Sequence, residues 1–261
     1  MNQHDFFGSN DAAYNNNYID EYAINAYVAK VFGWMFIGLL VTALATGVIL
    51  YGMYNSVIVA DFIFGSPFIF FGIFIGQMIL VMSISGRVHV MNPFISKVLF
   101  LVYAASNALT VGVIIVIYTM YILGPTTVAM AFGITAVSFG IMSVYGLTTK
   151  SDLTRFSSLF SMGLIGVIIA SVANIFLGNS MLDFLVCIIG LFVFLGLTAV
   201  DTHKIKNYYA QVALRGSNPD GSLSIEQETL ASNLAIHGAL MLYLDFINML
   251  LFILRLLARR R

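Results

Sequence analysis

Long apolar stretches without any charged side chain make up most of this chain. Five uncharged intervals hold 30, 25, 52, 27 and 17 residues, and they lie between Lys30 and Asp61, Asp61 and Arg87, Lys97 and Lys150, Arg155 and Asp183, and Asp183 and Asp201. A helix needs about 20 apolar residues to cross the hydrocarbon core of a bilayer. The 52-residue interval is long enough for two helices, and Gly124-Pro125 supplies a break inside it. A further apolar stretch after residue 232, interrupted by one aspartate, brings the number of predicted spans to seven.

These stretches predict helices rather than strands. They are continuous apolar runs, whereas the strands of a membrane barrel alternate over about ten residues, and lipid admits only those two architectures. The fold class is therefore all-α, a polytopic membrane protein with seven transmembrane helices. The predicted spans are 31–52, 63–85, 98–119, 125–146, 156–177, 182–202 and 233–254.

Composition excludes several classes of protein. Hydrophobic residues make up 60% of the 261 positions and charged residues only 9%, which is far from the composition of a soluble domain. The net charge is zero and no stretch before the C-terminus is basic, so nucleic acid is not an expected partner. A single cysteine, Cys187, and four scattered histidines give no basis for a disulfide framework or a metal cluster. We expect no cofactor, and the lipid bilayer is the expected surrounding.

The spans divide the chain into a polar N-terminal tail (1–30), a transmembrane region (31–257) with a long loop at about 203–232, and a basic tail (258–261). The N-terminal tail lacks the basic start and apolar centre of a signal peptide. Eight basic residues fall on the side of the N-terminus, which predicts a cytoplasmic N-terminus. Four arginines after residue 254 contradict this rule unless the seventh segment is re-entrant, and we favour a full seventh span.

Two carboxylates lie within or at the edge of predicted spans. Asp201 closes the sixth span and Asp245 lies inside the seventh. A charge within a membrane helix costs at least about 2.5–3.5 kcal/mol, so each carboxylate requires an explanation. Consecutive antiparallel helices are usually neighbours, which predicts that the two side chains meet.

Two such carboxylates would share one proton and titrate in two steps. The protonated pair would hold the helices together, and the ionised pair would repel them and open a path suited to a hard cation. Alternatives remain: Asp245 as a purely structural hydrogen-bonding group, and Asp201 as an interfacial carboxylate beside Lys204 and Lys206. Asn248 shares the helical face of Asp245, and His203 lies close enough in sequence to Asp201 to influence its titration.

The segment His237-Gly-Ala-Leu-Met-Leu-Tyr-Leu-Asp245-Phe-Ile-Asn248, together with Val200-Asp201-Thr202, resembles the Bax inhibitor-1 family of membrane proteins, whose bacterial branch includes the YccA-like and YetJ-like proteins. The resemblance extends over residues 25 to 257. It implies six helices around a central one, a location in the inner membrane, and a proton-sensitive calcium leak.

The resemblance also implies roles for individual residues. Asp201 and Asp245 match the pH-sensing pair of the family, and calcium would pass near them as the transported ion. Arg87 matches a basic residue that latches onto the pair in the closed state, although by charge alone it is equally a positive-inside anchor. Gln77 stands where some relatives carry an acidic residue, and Ser217–Gly221 form an insertion between the two aspartates.

Two other functions remain alternatives. The resemblance includes bacterial regulators of a membrane-bound AAA protease, which would be contacted through the N-terminal tail, although that tail is equally explained as a solvated terminus. An intramembrane aspartyl protease also needs two aspartates. Its Tyr-Asp and Gly-x-Gly-Asp settings are missing here, so we expect no enzymatic activity.

Overall fold

The computed structural model describes residues 21–55, 67–214 and 223–259, and every regular element within these ranges is helical. A short 3-10 turn, Leu153–Phe156, precedes the fifth of seven main helices. The helices are α1 Glu21–Asn55, α2 Pro67–Gly86, α3 Pro93–Ile122, α4 Pro125–Thr148, α5 Ser157–Leu177, α6 Ser180–Leu214 and α7 Ile225–Ala258. Each predicted span overlaps one of them, and residues 63–66 of the second predicted span lie outside the described residues. Six are long and apolar enough to cross a bilayer, and the apolar part of α2 is shorter.

Local sequence signals set several helix ends. Asn92 caps α3 by accepting a hydrogen bond from the backbone N–H of Phe94 (2.9 Å), with Pro93 in the first turn. Ser224 and Gln227 form a reciprocal capping box at the start of α7. The break predicted at Gly124-Pro125 separates α3 from α4, and Gly124 takes a positive φ of 80° there.

Three helices extend beyond the predicted spans. α1 begins at Glu21, so the last ten residues of the predicted polar tail belong to a helix, with Tyr27 and Val28 buried. The predicted loop at 203–232 is largely helical, since α6 continues to Leu214 and α7 begins at Ile225. Residues 1–20 and the predicted insertion at 217–221 lie outside the described residues.

α7 is the central helix of the bundle. In its most apolar window 61% of the residues are buried, against 6% in α5. α7 packs against α1, α2, α3, α4 and α6, whereas α5 packs mainly on α6 at the periphery. The outward faces of the surrounding helices expose large apolar side chains, as expected for contact with lipid tails. Examples are Phe36, Phe71, Ile141, Phe176 and Phe192.

The seventh segment spans the bundle completely. At one end of the bundle, Gln227 in the first turn of α7 donates through Nε2 to the carbonyl oxygen of Val212 near the end of α6 (3.4 Å). At the other end, Arg255 of α7 forms an ion pair with Asp183 in the first turn of α6 (2.6 Å). The two helices therefore run antiparallel over their lengths, in agreement with a full seventh span and not with a re-entrant segment.

Glycines allow close contact between helices at several points. A side chain at Gly146 of α4 would overlap the carbonyl oxygen of Ala199 in α6, so these two backbones touch directly. Between α6 and α7, a Cβ at Gly190 would lie 2.5 Å from the ring of Phe252, and one at Gly238 would lie 2.9 Å from Ile205. Small residues are a common means of bringing membrane helices together.

Gly146→Ala is expected to destabilise the protein, because the new methyl group must push a backbone oxygen away. We expect a loss of about 1–3 kcal/mol, typical of an overpacked contact. Gly140→Ala, in the same helix, is the matched control, since nothing lies within 4 Å of its added Cβ. Thermal unfolding of both variants in detergent checks the prediction, and equal stability of the two would contradict it.

Candidate functional site

The structure brings the two predicted aspartates together in the interior. Asp201 on α6 is 7% exposed and Asp245 on α7 is 4% exposed. Their carboxyl groups lie close enough for the charge of Asp201 to act on Asp245. The site arises because α7 occupies the centre of the bundle, so a polar residue in the middle of that helix must face protein.

Lys204 is the cation that pairs with this site. Its Nζ lies 3.0 Å from Oδ1 of Asp201, one helical turn away on α6, and both side chains are mostly buried. The lysine also interacts electrostatically with Asp245. The sequence suggested Lys204 only as a neighbour of an interfacial aspartate, whereas the structure makes it the counter-ion of a buried one.

Asp245 has a different surrounding. The hydroxyl of Thr198, a completely buried residue on α6, lies near its carboxyl group. The same hydroxyl donates to the carbonyl oxygen of Phe194 (2.8 Å). Oδ2 of Asp245 is buried without a protein hydrogen-bond partner. The sequence did not predict a role for Thr198, although its position one turn before Asp201 places it on the same face of α6.

His203 and Lys206 contact backbone carbonyl groups of α4 rather than the aspartate pair. A ring nitrogen of His203 lies 3.2 Å from the carbonyl oxygen of Gly146, and the Lys206 Nζ donates to that of Leu147 (3.1 Å). Both contacts satisfy carbonyl groups in the last turn of α4, where a helix accepts donors and positive charge. The supporting role predicted for His203 at the pair is therefore not what its contacts show.

Two further predicted residues lie away from the pair. Asn248 donates to the carbonyl oxygen of Leu244 (2.8 Å) in its own helix. Arg87 is exposed in the turn between α2 and α3, and no described carboxylate pairs with it. The contact with Asp201 that was expected of Arg87 is made by Lys204, one turn away on the same helix.

The turn that carries Arg87 is held by α7. Asn233 donates through Nδ2 to the carbonyl oxygens of Val88 (3.0 Å) and Met91 (2.6 Å). Its own Oδ1 accepts a hydrogen bond from the Ser96 hydroxyl (2.9 Å). Because all three groups are buried or nearly so, the contacts fix the α2–α3 turn against the start of α7.

A cavity of about 240 Å³ lies beside this turn, at the end of the bundle where α7 begins. His237 lies eight positions before Asp245 in α7, about 12 Å along the axis at 1.5 Å per residue. His237 also interacts electrostatically with Lys204. The polar and aromatic residues that line the cavity are His89, Tyr208, Gln211, Gln227 and His237.

A second polar network lies deeper in the bundle and was not predicted. Tyr243 Oη lies 2.7 Å from the Thr42 hydroxyl and accepts a hydrogen bond from Nδ2 of Asn107 (2.8 Å). Thr42 uses its proton on the Ala104 carbonyl oxygen (2.8 Å), so Tyr243 donates to Thr42. Thr110 extends the network by donating to Oδ1 of Asn107 (3.1 Å).

Gln77 completes this network from α2, where its Nε2 donates to the Thr110 hydroxyl (3.1 Å). The network therefore joins α1, α2, α3 and α7. Its α3 members lie at the first of two π-helical turns, Ala108–Gly112 and Tyr118–Ile122. Wider turns of this kind are often found at functional sites.

No group of three or more histidine, cysteine, aspartate or glutamate side chains that could hold a metal ion occurs among the described residues. The aspartate pair with Thr198 therefore offers carboxylate and hydroxyl oxygens without the full ligand set of a resident ion. Such oxygens suit hard cations such as calcium, which takes six to eight of them in its stable protein sites.

Tyr243→Phe is expected to destabilise the bundle by about 1–3 kcal/mol, because Asn107 and Thr42 lose a buried hydrogen-bond partner. The control is Tyr145→Phe in α4, whose side chain is half exposed. Chemical or thermal unfolding in the same detergent measures the difference. Similar losses in both variants would show that the network does not contribute.

The comparisons with known proteins agree with this architecture. A family model described as "Inhibitor of apoptosis-promoting Bax1" matches residues 24–261. The inner membrane protein YbhL of Escherichia coli (strain K12) is 37% identical over 241 residues, covering 91% of this chain and 93% of the relative. An uncharacterized protein of Borreliella burgdorferi is 39% identical over 237 residues, with 91% and 93% covered.

A third relative, the uncharacterized protein RP147 of Rickettsia prowazekii, is 37% identical over 248 residues, covering 94% of each chain. The family-model match therefore extends from the first turns of α1 to the end of α7. This chain belongs to the Bax inhibitor-1 family of multi-pass membrane proteins.

Proposed function

We propose that this protein is a pH-sensitive cation leak channel, with calcium as its cation, and that Asp201 and Asp245 form its gate. The observation that carries the proposal is the charge balance of the buried pair. Two carboxyl groups share one lysine, Lys204, which forms its ion pair with Asp201. Asp245 is buried at 4% exposure and has no cation of its own among the described residues.

An isolated charge in a low-dielectric interior is strongly unfavourable. The second carboxyl group must therefore carry a proton or attract a cation. Protonation gives a neutral site that holds α6 and α7 together, and loss of the proton leaves a net negative site at which a cation replaces it. The same oxygens thus serve as the proton sensor and as the cation site.

The hydrogen bond that Thr198 donates within its own helix is compatible with a protonated Asp245 in the proposed closed state. The Thr198 hydroxyl has one proton and donates it to the Phe194 carbonyl oxygen at 2.8 Å. When it does so, the hydroxyl oxygen is left to accept a hydrogen bond from a protonated Asp245. An ionised Asp245 would instead have to compete with Phe194 for that proton.

The proposed route from solvent to the pair starts at the end of the bundle where α7 begins. The cavity lined by His89 and His237 lies there, and Lys204 interacts electrostatically with both His237 and Asp245. Both aspartates are buried, so the conformation described corresponds to the closed state of the proposed channel. Opening would join the cavity to the pair.

We further propose that the protein lies in the inner membrane, as the name of its Escherichia coli relative states for that protein. The eight basic residues on the side of α1's start favour a cytoplasmic N-terminus. The proposal involves no catalytic step and no resident cofactor.

Calcium flux into liposomes containing the purified protein tests the gate. Flux is expected to rise from about pH 5 to about pH 8, because the pair attracts a cation only after losing its proton. Asp201→Asn and Asp245→Asn are each expected to bring the flux at the two pH limits to within about twofold, since the remaining carboxylate is then balanced by Lys204 and no second carboxyl group is left to lose a proton.

Asp152→Asn is the control for this experiment. Asp152 is an exposed carboxylate before α5, and the hydrogen bonds from Thr154 hold its pKa below the ordinary value. It therefore stays ionised across the range tested, and its replacement should leave the profile unchanged. Absence of any leak from the native protein, or a profile that neither aspartate variant alters, would contradict the proposal.

Deletion of residues 1–20 separates the leak from the alternative function. The pair and its contacts lie entirely within the described helices, so flux and its pH dependence are expected to survive the deletion. A modulator of a membrane AAA protease that acts through this tail would instead lose its effect on substrate turnover. A deletion that abolishes flux from correctly folded protein would count against the channel.

A further inference from the structure

Two arginines near the end of α7 form a polar site against the start of α6. Arg255 pairs with Asp183 (2.6 Å), and about 39% and 35% of the two side chains is exposed. Arg259 donates to the carbonyl oxygen of Ser180, and its guanidinium group lies over the ring of Phe184, 4.8 Å from the centroid. These contacts hold both guanidinium groups at the end of the bundle where α5 turns into α6.

The charges at this end are not balanced. Asp183 neutralises Arg255, but among the described residues Arg259 has only a neutral carbonyl oxygen and an aromatic ring as partners. Two more arginines, at positions 260 and 261, follow it in the sequence. A guanidinium group has five N–H donors, so Arg259 retains donors for an anionic ligand.

Two cavities meet at Arg259. One, of about 500 Å³, is polar and is lined by Tyr118, Ser180, Asp183, Arg255 and Arg259. The other, of about 610 Å³, is apolar apart from the same arginine. It lies between α4, α6 and α7, and its lining includes Ile134, Phe184, Ile188, Leu191 and Leu256.

The apolar cavity runs from the bundle end toward the membrane interior. From Phe184 to Leu191 is seven residues of α6, about 10 Å along the helix. Ile134 lies nine residues into α4, about 14 Å from that end. A ligand that fills both cavities must therefore have an anionic group at the level of Arg259 and an apolar chain that extends into the hydrocarbon region.

We propose that this end of the bundle is a binding site for an anionic phospholipid. The phosphodiester accepts hydrogen bonds from Arg259, and one acyl chain occupies the groove between α4, α6 and α7. An anionic headgroup is preferred to a zwitterionic one because the site has an excess of positive charge and, among the described residues, no free carboxylate to receive a headgroup ammonium. This inference does not depend on the proposed leak activity.

Native mass spectrometry of the purified full-length protein tests the site. The protein is equilibrated in detergent with equal amounts of dioleoylphosphatidylglycerol and dioleoylphosphatidylcholine, and the retained lipids are counted. We expect retention of phosphatidylglycerol over phosphatidylcholine. Arg259→Gln is expected to lower that preference on the order of tenfold, as for the loss of a charge-assisted hydrogen bond.

Two variants control for the charge and for the groove. Arg155→Gln removes an arginine that is 83% exposed and pairs with Asp152, and it should keep the full preference. Ile134→Trp changes no charge and fills the groove from a position that is 46% exposed, so it should reduce retention of both lipids at this site. Unfolding temperatures with and without phosphatidylglycerol provide a second readout, since bound lipid stabilises the folded state.

Equal retention of the two lipids by the native protein would overturn the proposal, and so would an Arg259→Gln variant that keeps its preference. Addition of inorganic phosphate separates a lipid site from a simple anion site. Phosphate is expected to leave lipid retention unchanged at millimolar concentration, because it cannot occupy the groove. Displacement of phosphatidylglycerol by phosphate, with no effect of Ile134→Trp, would assign the site to a soluble anion and refute the lipid.

Discussion

The central helix α7 faces other helices rather than lipid, so the polar groups on it depend on protein for their partners. The structure meets this constraint at four levels. Asn233 holds the α2–α3 turn, Asp245 meets Thr198 and the Asp201–Lys204 pair, Tyr243 joins three helices, and Arg255 binds Asp183. Each contact fixes a different neighbour, so the polar residues of one helix determine the arrangement of the bundle. Such contacts are costly to break in a low-dielectric interior.

The contacts of Asp245 differ from those of Asn233, Tyr243 and Arg255 along α7. Asn233, Tyr243 and Arg255 each have enough partners to satisfy their charge or hydrogen bonds, whereas Oδ2 of Asp245 has none from protein. An incompletely satisfied group within a well-satisfied framework is a common feature of functional sites. This contrast favours a role for the pair beyond helix association, and it links the framework to the proposed gate.

The seven helices were predictable because charged residues are excluded from the lipid-facing segments, so long intervals without charge mark the spans in the sequence. The extensions of α1, α6 and α7 were not, since a helix that continues past the membrane carries charges and no longer differs from a loop in that pattern. The meeting of Asp201 with Asp245 followed from helix order. Pairing of Asp201 with Lys204 instead of Arg87 depends on how far each side chain reaches, which the sequence does not show. The Tyr243 network includes residues at a π-helical turn, and no residue pattern in α3 predicts that turn.

The central position of α7 has a consequence for biogenesis. Synthesis proceeds from the N-terminus, so α1 to α6 emerge before the helix around which five of the seven elements pack. Until α7 arrives, α4 and α6 can already touch at Gly146, but Thr42 and Asn107 lack their shared tyrosine and Asp183 lacks its arginine. Completion of the core is therefore a late event in assembly, and ribosomal stalling or truncation before residue 225 would leave the preceding helices without their central helix.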